Sequence, residues 1–318
     1  MLDPSAGPAI ATAFGLGCRA WMTGPVARGE LGQVWRLETE RGTFAVKDPF
    51  LEVHADDAEA DAAYQAFACR AGVPMPEVVR STDGRVLVEV GGAPVRLYTW
   101  VDVLPRDRRL DPGEVGRLVA RLHGAVVPAD EPLPGWYVDP VGADGWLGLV
   151  ARLRDAASPF VADLEALVSE ILAVESVLEP GRATQHCHLD LWADNVRRTP
   201  DGGLMVLDWE NSGPGNPSRE LGVVLFEFGD GDPERIGALY TAYVDAGGPG
   251  RITRPADLTM LVAQLGHIAQ IACTRWLTST TEAERRHNEC WVREFVDDPV
   301  TSATVELILD AVSSPRRS

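Results

Sequence analysis

Apolar positions along this chain follow two periods, and the change between them divides the sequence. From Val26 to Val101 they fall in short runs parted by glycine-bearing turns. Arg28-Gly29-Glu30-Leu31-Gly32 reads as a turn entering a strand through Leu37, Arg41-Gly42 as a second turn, and Thr43–Lys47 as the next strand. Val78–Arg80, Arg85–Val90 and Val95–Val101 follow, with a turn at Asp83-Gly84, which predicts an antiparallel five-stranded sheet. An alanine-rich helix over Ala55–Ala71 interrupts the strands and is stopped by Gly72 and the Val73-Pro74-Met75-Pro76 break. Its expected buried side is Tyr64, Phe67 and Cys69 or Ala68, and most of its acids form a solvated face. A short helix over 8–17 precedes the first strand.

From Asp111 the period becomes helical. Val115, Leu118, Val119 and Leu122 have the i, i+3, i+4, i+7 spacing, with Asp111 as cap and Gly124 as stop. Residues 128–146, rich in Pro, Gly and Trp, predict a loop bordering an acceptor site. Helices are expected at 146–157, 159–178, 219–228, 232–246, 256–278, 282–295 and 298–312, and a frayed tail at Ser314–Ser318.

One stretch breaks the helical half. His186–Gly215 reads as an apolar lead, a polar loop, a hairpin and a second acidic loop. With Asp201-Gly202 at the hairpin tip, Arg198 would face Met205, Val196 Leu207, and Asn195 Asp208. Directly opposed residues have Cβ atoms ~4.5–5.5 Å apart. An amide oxygen and a carboxylate would then meet at one mouth, with Asp190 just upstream, and hard oxygen donors of this kind suit Mg²⁺.

The order His188-x-Asp190-x₄-Asn195, then an apolar strand ending in Asp208-Trp209-Glu210, resembles the aminoglycoside phosphotransferase and choline-kinase-like small-molecule kinases. Gly213-Pro214-Gly215-Asn216-Pro217-Ser218-Arg219-Glu220-Leu221 is similar to the family's G-x-x-P-x-x-D-L segment. Glu220 stands where the family more often has Asp, and Trp192 where it often has His. The resemblance implies an α+β, bilobal protein-kinase-like fold, with residues 1–101 as an N-lobe and 102–318 as a helical C-lobe. It implies Asp190 as the catalytic base, Asn195 and Asp208 as Mg²⁺ ligands, and Gly29 and Gly32 in a phosphate loop. Lys47, in Ala-Val-Lys, falls at the phosphate-pairing lysine of a kinase strand. It is the sole lysine among 29 basic residues. A compact ammonium suits a narrow phosphate cleft better than a planar guanidinium does. Its expected helix partner is Glu59, with Asp61 as the alternative, and Trp100 and Val101 are the expected adenine hinge. Glu210, Trp192, Glu282 and Glu289 are the acceptor-site candidates, while His188 is expected to hold the loop backbone.

Composition narrows this further. A chain of 318 residues exceeds the ~250–300 at which single cores split, so two lobes are expected. A net charge of −18 disfavours nucleic acid and anionic membrane and favours a cationic partner, although the same balance also serves solubility. Five cysteines without a C-x-x-C point to reduced thiols in the cytoplasm. His186-Cys187-His188 does not suggest zinc, because neighbours in an extended chain face opposite ways and no second Cys/His pair has the spacing. The N-terminus has no signal-peptide pattern, and no run nears the ~18 apolar residues of a membrane helix.

The sequence therefore predicts an ATP- or GTP-dependent, Mg²⁺-requiring phosphotransferase, monomeric or homodimeric, acting on a small alcohol. A cationic antibiotic of aminoglycoside type is the first acceptor expected and a macrolide the second. A metabolic kinase for choline, homoserine or an aminosugar is the alternative, and a non-catalytic pseudokinase is the rival of a different class. A protein kinase is disfavoured, since no Ala-Pro-Glu segment follows Asp208.

Overall fold

The computed structural model describes residues 2–29 and 32–313. Glu30 and Leu31 of the glycine turn and the Ser314–Ser318 tail lie outside the described residues. The chain forms two compact units: residues 1–107 with 188–213, and residues 108–187 with 214–318.

The first unit begins with α1 (Gly7–Ala13), which packs Ile10 and Ala11 into the core, followed by β1 (Ala20–Arg28), β2 (Gly32–Thr39) and β3 (Gly42–Pro49). After α2 (Ala55–Arg70) come β4 (Val78–Val79), β5 (Val88–Val90) and β6 (Ala93–Thr99). Five antiparallel strands run in the order β1-β2-β3-β6-β4, and β5 pairs with β6 off this path. Alternation along β3 separates two faces, as the pleat requires. Phe44 and Val46 are buried in a core with Ile10, Leu37, Val95 and Leu97, while Lys47 belongs to the other face. Fully burying one such side chain contributes ~1.5–3 kcal/mol.

The buried stripe of α2 differs from the expected one. It consists of Ala58, Ala62, Gln65 and Ala68 with Tyr64, whereas Phe67 is half-buried and Cys69 is exposed. Alanines at 58 and 62, one helical turn apart, allow close approach to Val86. The large ring of Phe67 lies outside that stripe, near Arg70.

The second unit opens with α3 (Pro112–Gly124), whose N-terminus is capped by Asp111 accepting from the Glu114 N–H at 2.8 Å. Helices α4 (Gly142–Asp155) and α5 (Val161–Glu175) precede the short β7 (Gln185–Cys187). Then the chain enters the hairpin of the first unit, β8 (Val196–Arg198) and β9 (Leu204–Val206). It returns as α6 (Pro217–Gly229), α7 (Pro233–Asp245), α8 (Thr259–Thr278), α9 (Glu282–Asp297) and α10 (Ser302–Ser313). Trp146, Leu153, Phe160, Leu164, Trp276 and Val292 centre one core. At Gly116 a Cβ would come 2.4 Å from the Leu239 carbonyl oxygen, so glycine is what lets α3 and α7 pack so closely.

This partition differs from a division at residue 101. The stretch His188–Gly213 groups with the sheet because its contacts lead there. The Val206 N–H donates to the Pro74 carbonyl at 2.9 Å, Leu104 donates to Arg198 at 2.7 Å, and the Trp209 ring meets Tyr64 edge-on at 5.8 Å.

Candidate active site

The hairpin sets the site, and its register is one residue away from the expected one. Val196 pairs with Val206, Arg197 with Met205 and Arg198 with Leu204. The cause is a three-residue tip. The Thr199 N–H donates to Gly203 and the Gly202 N–H to Thr199, with Gly202 at φ 91°, a left-handed conformation that glycine adopts freely. Asn195 therefore lies opposite Leu207, whose N–H donates to the Asn195 carbonyl at 2.7 Å, and not opposite Asp208. Asp208 is itself at φ 57°, which turns the chain into the short 3₁₀ turn Trp209–Asn211.

The residues expected to form the catalytic loop still converge. The Asn195 side-chain amide donates to Asp190 Oδ2 at 2.8 Å and to the Asp190 carbonyl at 3.0 Å. The Asn211 amide donates to the same Oδ2 at 3.0 Å. Sequence reasoning missed Asn211, which follows the acidic pair with no spacing signal of its own. His188 Nε2 lies 3.0 Å from the Leu207 carbonyl, linking the Asp190 loop to the strand end. Trp192 is half-buried, and its carbonyl accepts from the Asn195 and Val196 N–H groups, which curls the loop.

Lys47 Nζ lies 2.6 Å from Asp208 Oδ1 and 2.9 Å from Glu210 Oε2. Burial pulls its pKa down, but the Asp208 and Glu210 carboxylates outweigh it and hold the ammonium protonated. Asp208 is lowered: burial opposes its charge, and Lys47 overcomes that. Asp190 is raised to about 7, first by burial and then by Asp208, against the pull of Asn211, Lys47 and Asn195. Such a value suits a base working near neutral pH.

The helix carboxylates are placed otherwise than expected. Glu59 does not pair with Lys47; Arg80 holds it at 2.7 Å and the Val86 N–H donates to it at 3.0 Å. Asp61 pairs with the buried Arg96 at 3.0 Å. The Glu59 side chain is 42% exposed, and the cation it meets is Arg80, just past β4.

Gly29 and Gly32 close the glycine turn, with the Gly29 N–H donating to Gly32 at 2.9 Å. A Cβ on Gly32 would come 2.9 Å from the Asp48 carbonyl oxygen, so the strand approach requires glycine. The Trp100 N–H donates to Thr43 at 3.2 Å, which takes that donor away from a hinge role, and its indole donates to Asp102 at 2.8 Å. Val101 follows, half-buried. In the second unit, Glu282 forms an exposed i,i+4 pair with Arg286 at 3.3 Å, and Glu289 is half-buried on α9.

Asn195 and Asp208 offer hard oxygens and no sulfur. The Asn195 nitrogen is already engaged with Asp190, so its oxygen is the donor left for a cation, and the Asp208 side chain is 38% exposed. This set fits Mg²⁺. A different group, His123, Cys187 and Glu220, brings ligand atoms within 4.8 Å of one another in the helical unit.

A sheet whose strand lysine faces an Asp-Asn-Asp loop defines a kinase-like phosphotransferase fold. The chain belongs to the phosphotransferase enzyme family, which it matches over residues 23–255. Among curated proteins it is 28% identical over 230 residues to a homoserine kinase of Pseudomonas aeruginosa, covering 67% of this chain and 66% of that protein. It is 29% identical over 174 residues to a homoserine kinase of Bradyrhizobium sp., covering 54% of this chain and 52% of that one. The chain thus spans about half to two thirds of the length of these relatives. Among solved structures, a spectinomycin phosphotransferase with ADP and spectinomycin superposes with a TM-score of 0.71 at 12% identity, over 98% of both chains. A microcompartment-associated aminopropanol kinase superposes at 0.54 and 18% identity, over 99% of both. At these identities the likeness is one of fold. No helix among the described residues is long and apolar enough to cross a membrane.

Proposed function

We propose that this protein transfers the γ-phosphate of a nucleoside triphosphate to a hydroxyl of a small molecule. The observation that carries the reading is the convergence of Asp190, Asn195, Asp208 and Lys47 in one hydrogen-bonded and ion-paired group. Both amides on Asp190 bind Oδ2, which leaves Oδ1 to accept a proton from an incoming hydroxyl. Lys47 binds the α- and β-phosphates, and the glycine turn offers backbone N–H groups to the triphosphate. Asn195 and Asp208 would hold Mg²⁺, which when bound neutralises charge on the β- and γ-phosphates. Positioning and electrostatics supply most of the acceleration in such a site. A non-catalytic pseudokinase commonly lacks one of these four residues; here all four stand together.

For the acceptor, the homoserine kinases among the sequence relatives favour an amino alcohol of homoserine size. The net charge of −18 favours a cationic acceptor and so keeps an aminoglycoside-like antibiotic as the second reading. The test is ADP or GDP release with Mg-ATP and Mg-GTP across homoserine, choline, spectinomycin, aminoglycosides and macrolides. Turnover with homoserine or a related amino alcohol supports the first reading, and turnover with one antibiotic alone supports the second. Nucleotide binding without turnover on any alcohol overturns both in favour of a pseudokinase.

A further inference from the structure

Lys47 on β3 lies directly opposite Arg96 on β6. Two cations paired across strands repel each other, and the Arg96 side chain is only 4% exposed. A buried guanidinium is seldom cheaper than an apolar side chain of the same volume, so the sheet itself does not call for one here. What it does instead can be read from its partners. Its Nη1 lies 3.0 Å from Asp61 on α2 and 3.7 Å from Glu210, while its Nε, though buried, has no hydrogen-bond partner. The fork is thus turned to serve two carboxylates at the expense of its own Nε. Glu210 in turn lies 2.9 Å from Lys47 and 3.4 Å from the Tyr98 hydroxyl, a residue on the same face two positions along β6.

We propose that Arg96 is the positioning residue for Lys47: anchored by Asp61, it fixes the Glu210 carboxylate, and Glu210 aims the lysine at the nucleotide phosphates. The helix thereby governs the strand lysine through a four-residue chain, Asp61–Arg96–Glu210–Lys47, in place of a direct pair. Asp61 matters because it shares the Arg96 charge. Without it, Arg96 draws Glu210 toward itself and away from Lys47.

This inference rests on the phosphotransferase reading, and calorimetric titration with MgADP separates the two without knowledge of the acceptor. Wild type is compared with Asp61→Asn, Glu210→Gln, the double variant and Arg96→Met, with melting temperatures measured alongside. Asp61→Asn and Glu210→Gln are each expected to weaken MgADP binding ~5–10-fold, the scale of one charged contact. The double variant should bind no more weakly than Glu210→Gln alone, because Asp61 acts only through Glu210. A structural role for the ion chain would lower melting temperatures and leave the two effects multiplicative. Multiplicative effects, or MgADP affinity in Asp61→Asn within twofold of wild type, overturn the inference while wild type still binds. Wild type that fails to bind MgADP overturns the phosphotransferase reading and the inference with it. Should Arg96→Met not fold, Asp61→Asn carries the test, since it removes one charge from a half-buried helix position.

Discussion

In the helical unit His123 lies 2.7 Å from Glu220 through one ring nitrogen and 2.8 Å from the Tyr243 hydroxyl through the other, and that hydroxyl accepts from the Gly250 N–H at 2.7 Å. In the sheet unit Lys47 and Arg96 face Asp61, Asp190, Asp208 and Glu210, four carboxylates against two cations. The first group is fully buried and the second only partly, with Asp208 exposed, and their balance differs as well. Around His123 donors meet acceptors, and the Cys187 thiol, raised by burial and by Glu220, stays protonated as one more donor. Around Lys47 negative charge is in excess, and Asp190, pushed up to about 7 first by burial, is raised further by Asp208. A closed network stabilises a fold; an unbalanced one is retained where a ligand completes it. A divalent cation is the kind of ligand that would.

Substitutions can break or sharpen that contrast. The largest effect is expected from Asp190→Ala, which should lower kcat by ~10³-fold or more while MgADP affinity changes little. Steady-state ADP release together with titration would separate the two quantities. Next is Lys47→Met, for which kcat/KM for the nucleotide should fall ~10²-fold through lost phosphate binding. In the other cluster Glu220→Ala should cost ~3–5 kcal/mol of stability in urea unfolding, since it leaves His123 and Cys187 without their acceptor. MgADP affinity of the folded fraction should stay at the wild-type level; a selective loss of nucleotide binding would erase the distinction drawn between the clusters.

A subtler effect follows from Asp190. Its folded pKa of about 7 stands above the 3.8 of an ordinary carboxyl. Between those values the folded state holds a proton that the unfolded state has released, so this group lowers stability as pH rises across the window. Below pH 4 both states are protonated and the difference vanishes. Asp190→Asn should therefore raise the melting temperature of metal-free protein at pH 8, with the gain shrinking at pH 5, while abolishing turnover. Thermal melts at the two pH values check it; an equal gain at both would mean that charge is not the cause. The smallest effect belongs to Glu282→Gln, which should shift stability by no more than ~0.5 kcal/mol, as for other exposed pairs. Acceptor KM should not move, because Glu282 is occupied by an exposed pair with Arg286.

Local signals carried much of this architecture. The helix from Pro112 to Gly124, its Asp111 cap, the strand bearing Lys47 and the hairpin after Asn195 all follow from period, cap and turn chemistry within a few residues. Where the structure departs from local pattern, the deciding contact is either a fine detail of backbone or a distant partner. One positive φ at Gly202 moved the hairpin register by a residue. Glu59 is the expected partner of Lys47 and Asp61 the alternative, but Arg80 lies within reach of Glu59 and Arg96 within reach of Asp61, so neither pairs with the lysine. Asn211 carried no signal, since its value depends on where the short turn after Asp208 delivers its amide.

By itself the sequence determined which residues are chemically able to act: one lysine on a strand, an Asp and an Asn five apart, and an acidic pair beyond a hairpin. Those choices are local, set by spacing, turn residues and apolar period. Only the tertiary structure decided which of them meet. Lys47 and Asp208 are 161 positions apart, and their 2.6 Å contact exists because the hairpin docks on the sheet through Pro74 and Tyr64. The charge imbalance that marks the site is likewise a property of that docking, because desolvation and proximity, the two causes of the raised Asp190, do not exist in the unfolded chain.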